Sequence, residues 1–165
     1  MALPSLNEVL EAAKVGETAD WEFKSAKGGL PRSLWETYSA MANTEGGVIL
    51  LGATEKEEGL RLDGLTGAEL SKVLKELWDN LNNRGKVSVN LLSNDDVATL
   101  PTGPAQLVMI RVPRATRTQR PVYLGPTPFG NTFRRQHEGD YRCPDDEVRR
   151  MLADADLPTP LAKAN

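Results

Sequence analysis

PRSLWETYSAMANTEGGVILLGAT, residues 31–54, reads as a helix, a sharp turn and a buried strand, and it decides the fold of the 165-residue chain. Pro31 suits the first helical position, where its missing N–H is not needed. Leu34, Trp35, Tyr38, Met41 and Ala42 recur at helical spacing and give one apolar face. Asn43 and Gly46-Gly47 end the helix and reverse the chain without steric cost. Residues 48–51 are a continuous apolar run, the pattern of a strand covered on both faces. A helix joined this tightly to such a strand nucleates a layered α/β core.

Toward the N-terminus, Ser5 with Glu8 forms a capping box for a short helix over 6–13, and Gly16 breaks it. Residues 20–24 alternate as a half-buried strand, with Trp21 and Phe23 on the core face and Glu22 and Lys24 on the opposite, solvent face. A glycine loop exposing Lys27 leads into the central helix. Downstream, 55–58 is an acidic turn before a short strand at Leu60 and Leu62. Thr66 caps a helix over 67–81, with Leu70, Val73, Leu74, Leu77, Trp78 and Leu81 as its stripe. Strands are expected at 86–93 and 105–112, joined by a hairpin connection over 94–104. A basic loop without apolar anchors follows at 114–120, then short strands at 121–124 and 132–136. A helix over 144–154 closes the domain, acidic first and basic later as the helix dipole favours. The sum is an α/β (α+β) fold: a mixed, mostly antiparallel sheet packed by two to four helices, one domain over 1–156, and a disordered tail over 157–165.

Composition excludes several classes. No apolar run approaches the roughly 20 residues of a membrane helix. The N-terminus is too acidic and interrupted for a signal peptide. Cys143 is the only cysteine, which rules out an intrachain disulfide or a cysteine zinc cluster and makes a reducing cytoplasm the default. The net charge of −3 hides an asymmetry: residues 1–81 carry 8 basic and 14 acidic side chains, whereas 111–136 carry six arginines and no acid. Those six are Arg111, Arg114, Arg117, Arg120, Arg134 and Arg135, and the planar guanidinium fork suits phosphate. Phosphate-backbone binding stands beside a merely solvated face as the reading of this segment.

The stretch from Glu17 through Glu22-Phe-Lys24, then Ala-Asn-Thr-Glu-Gly-Gly47 into an apolar strand, resembles the Schlafen-type AlbA domain. The segment Pro121-Val-Tyr-Leu, then Thr132-Phe-Arg134-Arg-Gln-His-Glu-Gly139-Asp-Tyr-Arg142 and a helix containing Glu147, is similar to that domain's closing part. Together they cover about residues 15–153. The domain occurs in bacterial and archaeal transcriptional regulators and helicase-related proteins and in vertebrate Schlafen proteins. The resemblance implies a nucleic-acid-associated domain; the basic side chains Lys27, Arg114, Arg117, Arg120, Arg134 and Arg135 are the candidates for contacting the phosphate backbone. It also implies an alternative, a divalent-metal endoribonuclease acting on structured RNA such as tRNA. There Glu17 and Glu22 are the catalytic acids, Lys24 the cation beside the phosphate, and Mg²⁺ or Mn²⁺ is held by Glu17, Glu22 and Glu55. The family's third acid falls on Thr54, with Glu55 next to it, a departure from the pattern. Vertebrate Schlafen proteins enclose RNA between two such lobes, and a homodimer of this chain would recreate that groove. A regulatory protein-interaction module is the third reading.

The residues themselves constrain the chemistry. Phosphodiester cleavage needs hard oxygen ligands converging on a metal. Glu17 and Glu22 are five positions apart, so an unbroken strand sets them on opposite faces, and they converge only if the chain turns near 18–20. Gly46-Gly47 precedes a strand, not a helix, and no Gly-Lys-Ser/Thr follows, so it is not a phosphate loop. His137 reads as an exposed polar residue, Cys143 as a partly buried thiol, and Trp21, Trp35 and Trp78 as core.

Overall fold

The computed structural model describes residues 3–158. In chain order these form α1 (Leu6–Val15), β1 (Trp21–Lys24), α2 (Leu34–Asn43), β2 (Gly47–Leu51), β3 (Ala53–Lys56), β4 (Gly59–Leu62), α3 (Gly67–Leu81), β5 (Val97–Thr102), β6 (Ala105–Val112), β7 (Phe133–Gln136), β8 (Gly139–Arg142) and α4 (Asp145–Asp156). A four-stranded sheet has the order β1-β2-β6-β5, with β1 and β2 parallel and the other pairs antiparallel. Two hairpins, β3–β4 and β7–β8, complete the strands. The α+β class with a mixed, mostly antiparallel sheet is therefore the one the chain adopts.

The apolar run of β2 is buried from both sides. Ile49 and Leu51 join Leu34, Trp35, Tyr38 and Met41 of α2, Val73, Leu77 and Leu81 of α3, and Val108 and Ile110 of β6. Leu50 faces the other way, toward Val9 of α1, Phe23, Leu107 and Met109. Each such side chain contributes about 1.5–3 kcal/mol on full burial. The turn between α2 and β2 admits only glycine: Gly46 sits at φ +76°, and a Cβ there would lie 2.6 Å from the Val112 carbonyl. The expected caps hold at Ser5–Glu8 and Thr66–Glu69.

Several local expectations need correction, among them the strand at 121–124, which makes only single bridges from Leu124 to Val87 and from Tyr123 to Thr132. Helix α2 begins at Leu34, and Pro31 lies in the preceding turn, where its carbonyl accepts from Leu34 N–H at 3.2 Å. Residues 86–93 make no strand. The Tyr38 hydroxyl donates to Val89 O (2.8 Å) and accepts from Leu91 N–H (2.9 Å), and Ser88 N–H donates to Tyr123 O (2.9 Å), so side chains and single bridges replace a ladder. The partner of β6 is instead β5, from within the expected connection; Pro101 is tolerated because β5 is an edge strand. The 114–120 loop does have an apolar anchor, buried Ala115, whose N–H donates to Ala42 O at 2.8 Å. The expected tail lies outside the described residues beyond position 158.

Candidate functional site

Strand β1 is the edge next to β2, and in their parallel ladder Asp20 and Lys24 carbonyls accept from Val48 and Gly52. The intervening Trp21 and Phe23 therefore turn their backbone groups to the open side. The chain bends over 18–20, where Thr18 N–H donates to Trp21 O (3.1 Å) and Asp20 N–H to the Thr18 hydroxyl (3.2 Å). That bend returns Glu17 to the strand, and its Oε2 accepts the free Phe23 N–H at 3.0 Å. That position brings the Glu17 carboxyl close to the Glu22 carboxyl. The odd spacing does not separate the two acids, because the turn supplies the reversal. Burial first, then the nearby Glu22 carboxyl and the charge of Glu55, outweigh the Phe23 N–H and push the Glu17 carboxyl up to about 8. At neutral pH Glu17 is thus an acid holding its proton beside a second carboxylate.

Glu22 and Lys24 do not face solvent. Glu22 is 9% exposed and accepts from Arg135 Nη1 at 2.7 Å, with Lys24 Nζ 3.8 Å from its other oxygen. Lys24 also donates to the Ser33 hydroxyl at 2.9 Å. The covering group is the β7–β8 hairpin, which lies against α2 and carries Arg135 under the sheet edge. The Arg135 side chain is 1% exposed. Its guanidinium further donates to Asp140 Oδ1 (2.8 Å), Thr18 O (2.7 Å) and Trp21 O (3.1 Å). Burial opposes its charge, yet Asp140 and Glu22 hold its pKa above the ordinary arginine value. Asp140 is in turn held by the Thr37 hydroxyl at 2.6 Å. Arg135 is therefore a structural tie between hairpin and edge strand, not a phosphate contact.

What aims the hairpin is the polar side of α2, which the sequence pattern marks only as a helix end. Asn43 donates to Val122 O and Phe133 O (both 2.9 Å) and accepts from Val122 N–H (2.8 Å). Ser39 donates to Val122 O (2.7 Å) and accepts from Phe133 N–H (3.0 Å), and Thr44 accepts from Arg135 N–H (2.9 Å). Polar residues at i, i+4 and i+5 on an otherwise buried helix were the available signal.

The expected metal set is incomplete. Glu55 is exposed on β3 and reaches Glu17 only through its charge, while the Thr54 hydroxyl donates to Asp63 at 3.4 Å. Among the described residues no three His, Cys, Asp or Glu side chains converge as a metal would require. Glu22 is already faced by two cations. Glu17 and Glu22 meet, but this donor set does not complete a cage for Mg²⁺ or Mn²⁺.

Nor do the arginines form one surface. Arg111 pairs with buried Asp96 (Nε to Oδ1, 2.8 Å) and Arg134 with Glu147 at 2.8 Å. Arg117 donates to the Asp154 carbonyl and, at 3.1 Å, to the Leu157 carbonyl, closing the C-terminal end of α4. Arg114, exposed, and Arg120, half-buried, make no side-chain hydrogen bond or ion pair among the described residues. Lys27 is exposed but lies past the end of β1 near Gly52, whereas Arg114 follows Val112, which pairs with Gly47 at the other end of β2. Five strand residues, about 16 Å, separate those ends. His137 is exposed at the β7–β8 turn, Cys143 is buried with its thiol pushed up to about 11 by burial, and Trp35 is core.

Residues 17–144 match the family described as Schlafen, AlbA_2. The N-terminal domain of a RecG-related protein from Nitrosomonas europaea, named as a candidate ATP-dependent DNA helicase, is 28% identical with a TM-score of 0.62. That match covers 86% of this chain and 94% of that one. The DIP2311 protein from Corynebacterium diphtheriae, 18% identical with a TM-score of 0.53, shares the fold over 88% of this chain and 26% of its own. No curated protein sequence matches.

Proposed function

Because the chain belongs to the Schlafen, AlbA_2 family, we propose that it binds nucleic acid, contacting the phosphate backbone through the loop over residues 114–120. The observation that carries this is the state of Arg114 and Arg120. They are the two guanidinium groups of the arginine-rich segment that no partner engages among the described residues. The name of the Nitrosomonas europaea relative supports the same class of ligand. Backbone contacts give affinity and salt sensitivity without sequence choice. The test is fluorescence anisotropy with labelled duplex DNA and tRNA over a salt series. Salt-sensitive binding that weakens for every sequence alike in Arg114→Ala/Arg120→Ala is the expected result; binding unchanged in that variant overturns it.

The endoribonuclease alternative keeps one favouring observation, the contact of Glu17 with Glu22. It predicts tRNA cleavage that Mn²⁺ supports, EDTA abolishes and Glu17→Gln removes. Its donor set is one ligand short, which ranks it behind binding. Neither binding nor cleavage in these assays leaves the protein-interaction module.

A further inference from the structure

We propose that the outward face of the β7–β8 hairpin is a stacking platform for one unpaired nucleotide base, with Tyr141 as the platform; this rests on the nucleic-acid reading and names its substrate as single-stranded. The hairpin register pairs Arg134 with Tyr141, Arg135 with Asp140 and Gln136 with Gly139. Side chains alternate across a strand, so Arg135 and Asp140 share the buried face, and Arg134, Gln136, Gly139 and Tyr141 share the other. Tyr141 is 53% exposed and belongs to neither hydrophobic cluster, so the core does not account for it.

The ring is held down. A Cβ at Gly139 would come within 2.7 Å of the Tyr141 ring and 2.8 Å of its hydroxyl, so the ring lies across the space that glycine leaves empty. One side rests on the strand and the rest is open to solvent. Around it stand polar groups: exposed Gln136, exposed His137 and Glu138 at the turn, and Arg134, which faces Tyr141 across the hairpin and is held by Glu147 of α4 at 2.8 Å. A lone ring in polar surroundings is too small an apolar patch for a protein interface. It does offer the area one base covers, with donors at its rim for the base edge and the phosphate.

Helix α4 links the platform to the loop that carries the proposed backbone contact. Helix α4 meets Arg134 through Glu147 and the arginine loop through the Asp154 carbonyl that Arg117 holds. Seven helical residues, about 10 Å, separate those points. Arg150, three residues on from Glu147 and mostly exposed, lies on the same face between them. A strand gripped at the loop has a ring within reach for an unstacked base, and a duplex has none to offer it.

The test is anisotropy of fluorescein-labelled oligothymidylate with the whole chain, wild type beside Tyr141→Ala, Tyr141→Phe and Gly139→Ala. Base stacking on an aromatic contributes about 1–3 kcal/mol, so Tyr141→Ala is expected to bind roughly 5- to 150-fold more weakly with an unchanged salt slope. Tyr141→Phe keeps wild-type affinity. Gly139→Ala, which keeps the ring but lifts it, binds weakly too, and the duplex affinity of all three stays at the wild-type value. Photocrosslinking of wild type to a bromouridine oligonucleotide, mapped by mass spectrometry, places the adduct on Tyr141 whatever the variants' stability. Duplex binding with a normal salt slope but oligothymidylate binding indifferent to Tyr141→Ala overturns the platform alone. An oligonucleotide-indifferent variant whose sedimentation changes makes the ring a self-association contact and also overturns it. No binding of any nucleic acid overturns both readings.

Discussion

At the scale of single residues, charge alone misleads and partners decide. Arg134 and Arg135 are neighbours of one type, yet one is half-exposed and the other has a 1% exposed side chain between two carboxylates. Removing Arg135 leaves Glu22 and Asp140 uncompensated, so Arg135→Met is expected to destabilise by about 3–5 kcal/mol in urea unfolding. Arg114→Ala, with no side-chain partner to lose among the described residues, stays within about 0.5 kcal/mol of wild type. Glu17 titrates in its own window. Its folded pKa, about 8, lies above the ordinary 4.5, so the stability it contributes is fully present below about 4.5 and is lost as pH rises to about 8. Asp63 and Asp96 are shifted down from 3.8, so their contribution is lost only as pH falls below that value. The melting temperature should therefore fall between about pH 5 and about pH 8, and Glu17→Gln should flatten that slope.

At the scale of elements, α2 works on two sides. Its apolar face docks on the sheet with α3, and Ser39, Asn43 and Thr44 seat the segment that carries Arg135. Asn43→Ala strands the Phe133 carbonyl and the Val122 N–H in a half-buried place, while Val122 O keeps the Ser39 hydroxyl, an expected loss of about 1–3 kcal/mol read as a lower urea midpoint. Hydrogen exchange should show the loss first in β7. The helix, turn and strand of 31–54 were legible because their signals are local: periodicity, a glycine turn and an apolar run. The 86–93 stretch alternates as convincingly, but Tyr38 and Tyr123 take up its backbone groups, and no pattern in that stretch reports their arrival.

At the scale of the molecule, a chain of net charge −3 binds a polyanion only through local charge. Each phosphate contact adds about −0.9 to the slope of log K against log salt on duplex DNA. The six cations named from sequence imply a slope of about −5; the two in one loop that stay unpartnered among the described residues imply about −2. A titration between about 50 and 200 mM salt distinguishes them. No helix among the described residues is long and apolar enough to cross a membrane.

The sequence by itself determined the elements whose cause is local: the capped helices, the glycine turn at 46–47 and the doubly buried strand. It also carried the family motifs, which brought Glu17 and Glu22 into view. Only the tertiary structure decided which charges are free. Asp140, more than a hundred residues from Glu22, closes on Arg135 with it, and Asp96 closes on Arg111. An ion pair forms where the fold brings opposite charges within a few ångströms out of water, and spacing along the chain carries no record of that approach. The turn at 18–20 is the middle case: visible as a possibility in the residues, and made a fact by the open edge of β1, whose unpaired Phe23 N–H gives the Glu17 carboxyl something to hold.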